Sequence, residues 1–126
     1  EQLDVNVIYP GLKSHPQHAL VTSLLNEGYG YGGLLAIECG SQEKADELLS
    51  VLQNKENFGL IAVSLGYYDT LMTCSSSSTS SEIAPDEQQK MGLTPSLIRI
   101  AVGYTGDLQE RLAQLERAVK AVGLAK

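Results

Sequence analysis

The chain has few cysteines, few cations and no long apolar run, and each shortage removes a class of protein. Cys39 and Cys74 are its two cysteines, too few for a disulfide framework. With no Asn-x-Ser/Thr acceptor either, the default setting is a reducing, cytoplasmic one. Nine Lys and Arg stand against fifteen Asp and Glu, a formal net charge of −6. That balance argues against nucleic acid and anionic membrane as partners, because phosphate binding needs clustered cations. No apolar stretch approaches the ~18 residues of a membrane span, and no basic-then-apolar signal peptide is visible. His15 and His18 have no third ligand beside them, so no metal site is expected. Glu1 is not an initiator Met, which points to a chain processed or cut from something longer.

What is present describes one ordinary globular domain. The 126 residues are 43% apolar, with a mean hydropathy of −0.07. A chain of this size can bury roughly two-thirds of its unfolded surface, enough for a core without staples. Short apolar runs at 5–9, 34–39, 60–64 and 97–102 read as strands. Four helices fit around them. Ser14, Pro16 and Gln17 form a capping arrangement for the first, with Leu20, Leu24 and Leu25 on one face. The second spans about 41–53, with Ala45, Leu48, Leu49 and Leu52 as a buried stripe. Pro85, Asp86 and Glu87 open a short third helix that Gly92 stops. Asp107 caps the last, Leu108, Leu112, Leu115 and Val119 form its seam, and Gly123 ends it. The order β-α-β-α-β-α-β-α predicts a two-layer α/β (α+β) fold, about four strands covered by helices.

Two segments break this pattern. Gly28-Tyr29-Gly30-Tyr31-Gly32-Gly33 has the composition of a phosphate cradle, but it follows a helix and leads into a strand. A phosphate loop runs the other way, so the segment reads as a helix exit and tight turn. The stretch from Cys74 to Ser81 reads by composition as a flexible loop, dense in hydroxyls that could surround a polar ligand.

Arg99 is the most informative residue. Ile98, Ile100 and Val102 share one face of their strand, and Leu97, Arg99 and Ala101 share the other. A guanidinium among apolar neighbours requires an anion. Two readings are open: an internal ion pair with one of the acids, or bidentate capture of a ligand carboxylate, for which Arg is the best-shaped side chain. Ser64 ends an apolar strand, where side chains often project into sites. Cys74 reads as a buried or loop thiol. Asp107–Arg111 and Glu116–Lys120, at i, i+4, read as pairs on a solvated helix face. No catalytic constellation is complete.

Three ordered stretches carry a resemblance. Tyr9-Pro10-Gly11-Leu12-Lys13-Ser14-His15-Pro16-Gln17-His18, Ala62-Val63-Ser64-Leu65-Gly66, and Gly92 through Leu97-Ile98-Arg99-Ile100-Ala101-Val102-Gly103 resemble motifs of the cysteine/methionine-metabolism family of pyridoxal-phosphate enzymes. That family includes methionine γ-lyase, cystathionine γ-lyase, cystathionine β-lyase and cystathionine γ-synthase. Residues 64–83 are most similar to a plant-like methionine γ-lyase branch.

The resemblance implies that residues 1–126 are one small C-terminal, substrate-binding domain. Its open, largely antiparallel sheet would close over pyridoxal 5′-phosphate held by a larger N-terminal domain that these residues do not include. It implies that Arg99 binds the substrate α-carboxylate and that Ser64 lies at the active-site mouth. Thr79, in Ser77-Ser78-Thr79-Ser80, would help position the carboxylate; Ser80 stands where the family has His, and Ser75 where it has Pro. The six lysines fall outside the family's Schiff-base motif, so no catalytic or cofactor-binding residue is expected here and the domain alone should be inactive. The implied reaction is α,γ-elimination of a sulfur amino acid to a thiol, an α-keto acid and ammonia, in a homotetramer. The alternatives are γ-synthase or β-lyase chemistry in the same family, or a stand-alone amino-acid-binding module.

Overall fold

Apolar alternation and helix caps set most of the elements of the computed structural model, which describes residues 5–78 and 80–125. In chain order these are β1 (Val7–Ile8), α1 (His18–Leu24), β2 (Leu34–Glu38), α2 (Gln42–Asn54), β3 (Leu60–Ile61), β4 (Leu71–Cys74), α3 (Pro85–Lys90), β5 (Leu97–Ala101) and α4 (Leu108–Ala121). The five strands form one open sheet in the order β1-β2-β5-β4-β3. Every pairing is antiparallel except β3 with β4. The largely antiparallel sheet is as expected, with one more strand than the pattern of residues predicts. The extra strand is β4. All four of its residues are buried, so it lacks the polar alternation that marks a half-buried strand. The predicted strand over 60–64 is correspondingly short: pairing stops near Ala62, whose N–H still reaches the Met72 carbonyl, and the chain leaves as a loop.

The core lies between the sheet and its helices. Ile37, Met72, Ile98 and Ile100 project from one face onto Leu48 and Leu52 of α2 and Val119 of α4, all seven fully buried. Ser41 caps α2 by accepting from the Lys44 N–H, and Asp107 caps α4 by accepting from the N–H groups of Gln109 and Glu110.

Three expectations about helices are corrected. α1 starts at His18 after Gln17, with no side-chain cap from Ser14, because residues 10–17 form a run of tight turns instead. α4 packs inward through Gln114, Ala118, Val119 and Val122, while Leu108 is 76% and Leu112 45% exposed. The predicted Asp107–Arg111 pair does not form. Asp107 is spent on capping, and Arg111 turns inward to Asp69 at 3.3 Å. Glu116–Lys120 does form, at 2.6 Å.

Candidate substrate-carboxylate site

Strand alternation puts Arg99 on the sheet face turned away from α2 and α4. β5 is the middle strand, so Arg99 is paired on both sides, with Ala36 of β2 and Thr73 of β4. Ala36 contributes only a methyl group, which leaves room beside the guanidinium. The side chain then reaches the loop that joins β3 to β4. Its Nη2 donates to the Val63 carbonyl at 3.1 Å and to the Ser64 carbonyl at 2.9 Å. Its Nε is buried and has no hydrogen-bond partner, and no carboxylate lies within ion-pair distance of it among the described residues. The internal ion pair that the sequence left open is therefore absent there. What remains is a half-buried cation held by two neutral oxygens with donor capacity to spare.

The fold brings Ser64 against Arg99 through its main chain. Its side chain is exposed, and its hydroxyl makes no hydrogen bond among the described residues. Gly66, with φ +74°, turns the loop back toward β4. At the loop's far end Asp69 accepts from Thr105 Oγ1 at 2.9 Å and from Arg111. Arg111 also donates to the carbonyls of Asn57 and Phe58, each at 2.9 Å, just before β3. One arginine thus ties both ends of the segment whose middle the other arginine holds. Gly103 lets β5 exit directly against this base, where a Cβ would collide with the Tyr68 and Asp69 backbone.

Thr79 lies outside the described residues. Around it, the hydroxyl-rich stretch is built as a turn rather than a slack loop. Ser78 Oγ donates to the Cys74 carbonyl at 2.7 Å and pairs with Thr73 Oγ1 at 2.9 Å, and Gln88 Nε2 donates to the Ser80 carbonyl at 2.7 Å. Thr73, Ala36 and the Val63 carbonyl are the site neighbours that residue patterns did not point to. Recognising β4 would have supplied the first of them.

Other candidates resolve into structural roles. His15 Nδ1 accepts from the Gln17 N–H, and the His18 ring bonds the Pro10 carbonyl and stacks on Tyr31 at 5.2 Å. No cluster of three metal-ligating side chains occurs among the described residues. The glycine-tyrosine segment is a turn between α1 and β2, where Tyr9 donates to the Gly32 carbonyl. Cys39 and Cys74 are both buried and unpaired. Burial, with the charge of Glu38 next, pushes the Cys39 thiol up to about 11. Cys74 Sγ donates to the Pro95 carbonyl at 3.1 Å.

A mixed five-stranded open sheet with helices packed on it is an architecture found in fold-type I pyridoxal-phosphate (PLP) enzymes. A structure described as an O-acetylhomoserine (thiol)-lyase from Campylobacter jejuni, which carries an N′-pyridoxyl-lysine-5′-monophosphate, matches with a TM-score of 0.80 and 29% identity. It covers 93% of this chain and 27% of that one. Cystathionine gamma synthase from Xanthomonas oryzae pv. oryzae shares the fold, with a TM-score of 0.78. Residues 3–122 match the family described as Cys/Met metabolism PLP-dependent enzyme. The chain belongs to that family. It is 53% identical over 116 residues to methionine gamma-lyase of Arabidopsis thaliana, covering 92% of this chain and 26% of that protein. It is 35% identical to cystathionine gamma-lyase of Dictyostelium discoideum, covering 90% of this chain and 27% of that protein. The 126 residues thus span about a quarter of the length of these curated relatives.

The described residues do not fit the cofactor itself. Lys13, Lys44, Lys55, Lys90 and Lys120 are all solvent-exposed, and none stands beside Arg99 in a cavity that could enclose a pyridine ring. The glycine-rich segment, the one candidate phosphate cradle, is a helix exit. No helix among the described residues is long and apolar enough to cross a membrane.

Proposed function

We propose that this chain is the substrate-binding domain of a PLP-dependent carbon–sulfur lyase, with Arg99 as the receptor for the α-carboxylate of a sulfur amino acid. One observation carries the reading: the Arg99 guanidinium stands mid-sheet, tied to two carbonyls, with a buried Nε lacking any partner. No carboxylate among the described residues neutralises this charge and donors of the guanidinium remain unused, so a ligand carboxylate at its terminal nitrogens supplies the missing charge-assisted bonds. Because β5 is paired on both flanks, the receptor is rigid, which is what orienting a substrate requires. Ser64 offers its free hydroxyl at the same mouth, and Thr79 is assigned a carboxylate-positioning role on the family resemblance alone. Electron-sink chemistry is the cofactor's. The part assigned to these residues is to fix one end of the substrate so that the bond to be broken is correctly aimed.

The substrate and reaction follow from relatedness: methionine γ-lyase-like elimination is favoured by the 53% identity to the Arabidopsis enzyme. In this reading the cofactor is held by an N-terminal domain of the same protein, and the whole assembles as a cytoplasmic homotetramer. Two unpaired buried cysteines are compatible with a reducing compartment.

The test is Arg99→Ala in the full-length enzyme. It should lower kcat/KM for methionine about 100-fold or more, as expected from losing a charge-assisted contact of ~3 kcal/mol. Arg99→Lys should recover only part, since an ammonium cannot present the planar fork. A loss of less than about threefold in Arg99→Ala would refute the carboxylate role. Product analysis with methionine, cystathionine and an O-acylhomoserine separates elimination by a γ-lyase from the β-lyase and γ-synthase alternatives.

A further inference from the structure

β5 fixes where Arg99 leaves the sheet, and the rest of the side chain decides where its charge ends. Several rotatable bonds separate the Cα from the guanidinium, so the planar fork stands wherever its partners hold it. Those partners are the carbonyls of Val63 and Ser64, at 3.1 and 2.9 Å. They belong to a stretch with little structure of its own. The Ala62 N–H is the last to bond β4, and no main-chain group of residues 63–67 hydrogen-bonds to anything but Arg99 among the described residues. The position of the receptor therefore depends on what fixes the two ends of this loop.

Both ends lead to Arg111. At the near end its Nη1 donates to the carbonyls of Asn57 and Phe58, just ahead of β3. At the far end its Nη2 pairs with Asp69 and donates to Thr105 Oγ1, each at 3.3 Å, while its Nε donates to the Thr105 carbonyl. Asp69 also accepts from Thr105 Oγ1 and from the Thr70 N–H, which locks the loop's return into β4 to the exit of β5. Gly106, with φ +82°, leaves the space: a Cβ there would stand 2.8 Å from the Arg111 Nε. Holding α4 in place does not require all of this. Arg117 ties the same helix to Glu56 at 2.6 Å by a plain surface ion pair.

We infer that Arg111 is a positioning residue for the carboxylate receptor. By clamping both ends of the 58–69 segment it sets the two carbonyls that set the Arg99 fork. A bidentate contact needs its partner within about 0.5 Å of the productive geometry, and a loop released at either end forfeits that. The inference rests on the reading of Arg99 as the α-carboxylate receptor, and Arg111 acts through Arg99 rather than on the substrate.

The experiment compares two competitive inhibitors of the full-length enzyme. L-Norleucine keeps the α-carboxylate and lacks a sulfur leaving group; n-pentylamine is the same skeleton without the carboxylate. Arg111→Met keeps the stem and removes the donors. It should raise the inhibition constant of L-norleucine at least about fivefold and that of n-pentylamine less than about twofold, with Arg111→Lys intermediate. In an Arg99→Ala background the same substitution should add less than about twofold for L-norleucine, because two changes along one route do not add. Arg117→Met, which cuts the other tie of α4, should leave both constants within about twofold of the parent. A smaller rise in Arg111→Met, an equal rise for both inhibitors, or a full effect persisting without Arg99 overturns the inference and leaves the role of Arg99 standing. So does an equally selective rise in Arg117→Met. If Arg99→Ala alone leaves the L-norleucine constant within about threefold, the carboxylate reading itself falls, and the positioning role with it. Should Arg111→Met not fold, Asp69→Asn decides: opening the far end alone should raise the L-norleucine constant selectively by about threefold or more, and a smaller or unselective rise overturns the inference.

Discussion

Glu38 shows how single side chains fix the strand that carries Arg99. Its carboxylate, at the end of β2 opposite Leu97, accepts from Thr94 Oγ1, from Ser96 Oγ and from the Gly40 N–H. The connection entering β5 is thereby pinned to the neighbouring strand. Burial alone would raise this carboxyl, but the hydrogen bonds from Ser96, Thr94 and the Gly40 and Cys39 N–H groups together hold it below its ordinary value of 4.5. A carboxyl depressed in the folded state adds stability above its unfolded value and loses it as pH falls through the folded one. Glu38→Gln should therefore cost about 1 kcal/mol in urea denaturation at pH 7. The gap to the parent protein should narrow as the pH drops through and below 4.5. A gap that stays constant with pH would show that ionisation of Glu38 plays no part.

At the scale of elements, α4 separates two roles that its sequence runs together. Asp107→Ala should cost about 1 kcal/mol, the usual value of an N-cap. Arg111 is coupled to Asp69, not to Asp107, so a double-mutant cycle should give about 1 kcal/mol or more for Asp69 with Arg111 and close to zero for Asp107 with Arg111. The reverse ranking would mean that the i, i+4 pair forms in solution. Local spacing made Asp107 legible as a cap but could not reveal that Arg111 has a partner 42 residues away. The same division runs through the fold. β2, β5 and α2 were legible because their apolar periods are long and clear. β4 was not, since burial on both faces erases alternation. The Leu108–Leu112–Leu115 stripe was correctly seen as apolar and wrongly taken as covered, because periodicity reports which face is apolar and not what lies against it. At the site, Arg99 announced itself by being charged among apolar neighbours, whereas Thr73 and the Val63 carbonyl could be found only through the strand pairing and the loop it returns.

For the whole molecule, the division of labour has a direct test. The purified 126-residue chain, incubated with pyridoxal phosphate and dialysed, should retain no bound chromophore and show no lyase activity, since no described lysine is placed to hold the cofactor. Retention of one equivalent would overturn that assignment. The position of β5 carries a further consequence for how such a domain can work. With hydrogen-bonded neighbours on either flank, Arg99 cannot swing independently of the sheet. In the proposed role, an approach of Arg99 toward an amino acid has to be a displacement of the domain in one piece. The slowest amide protons to exchange should then sit in β5, at Ile98 and Ile100 on the β2 side and at Arg99 on the β4 side, because the buried middle strand is released last.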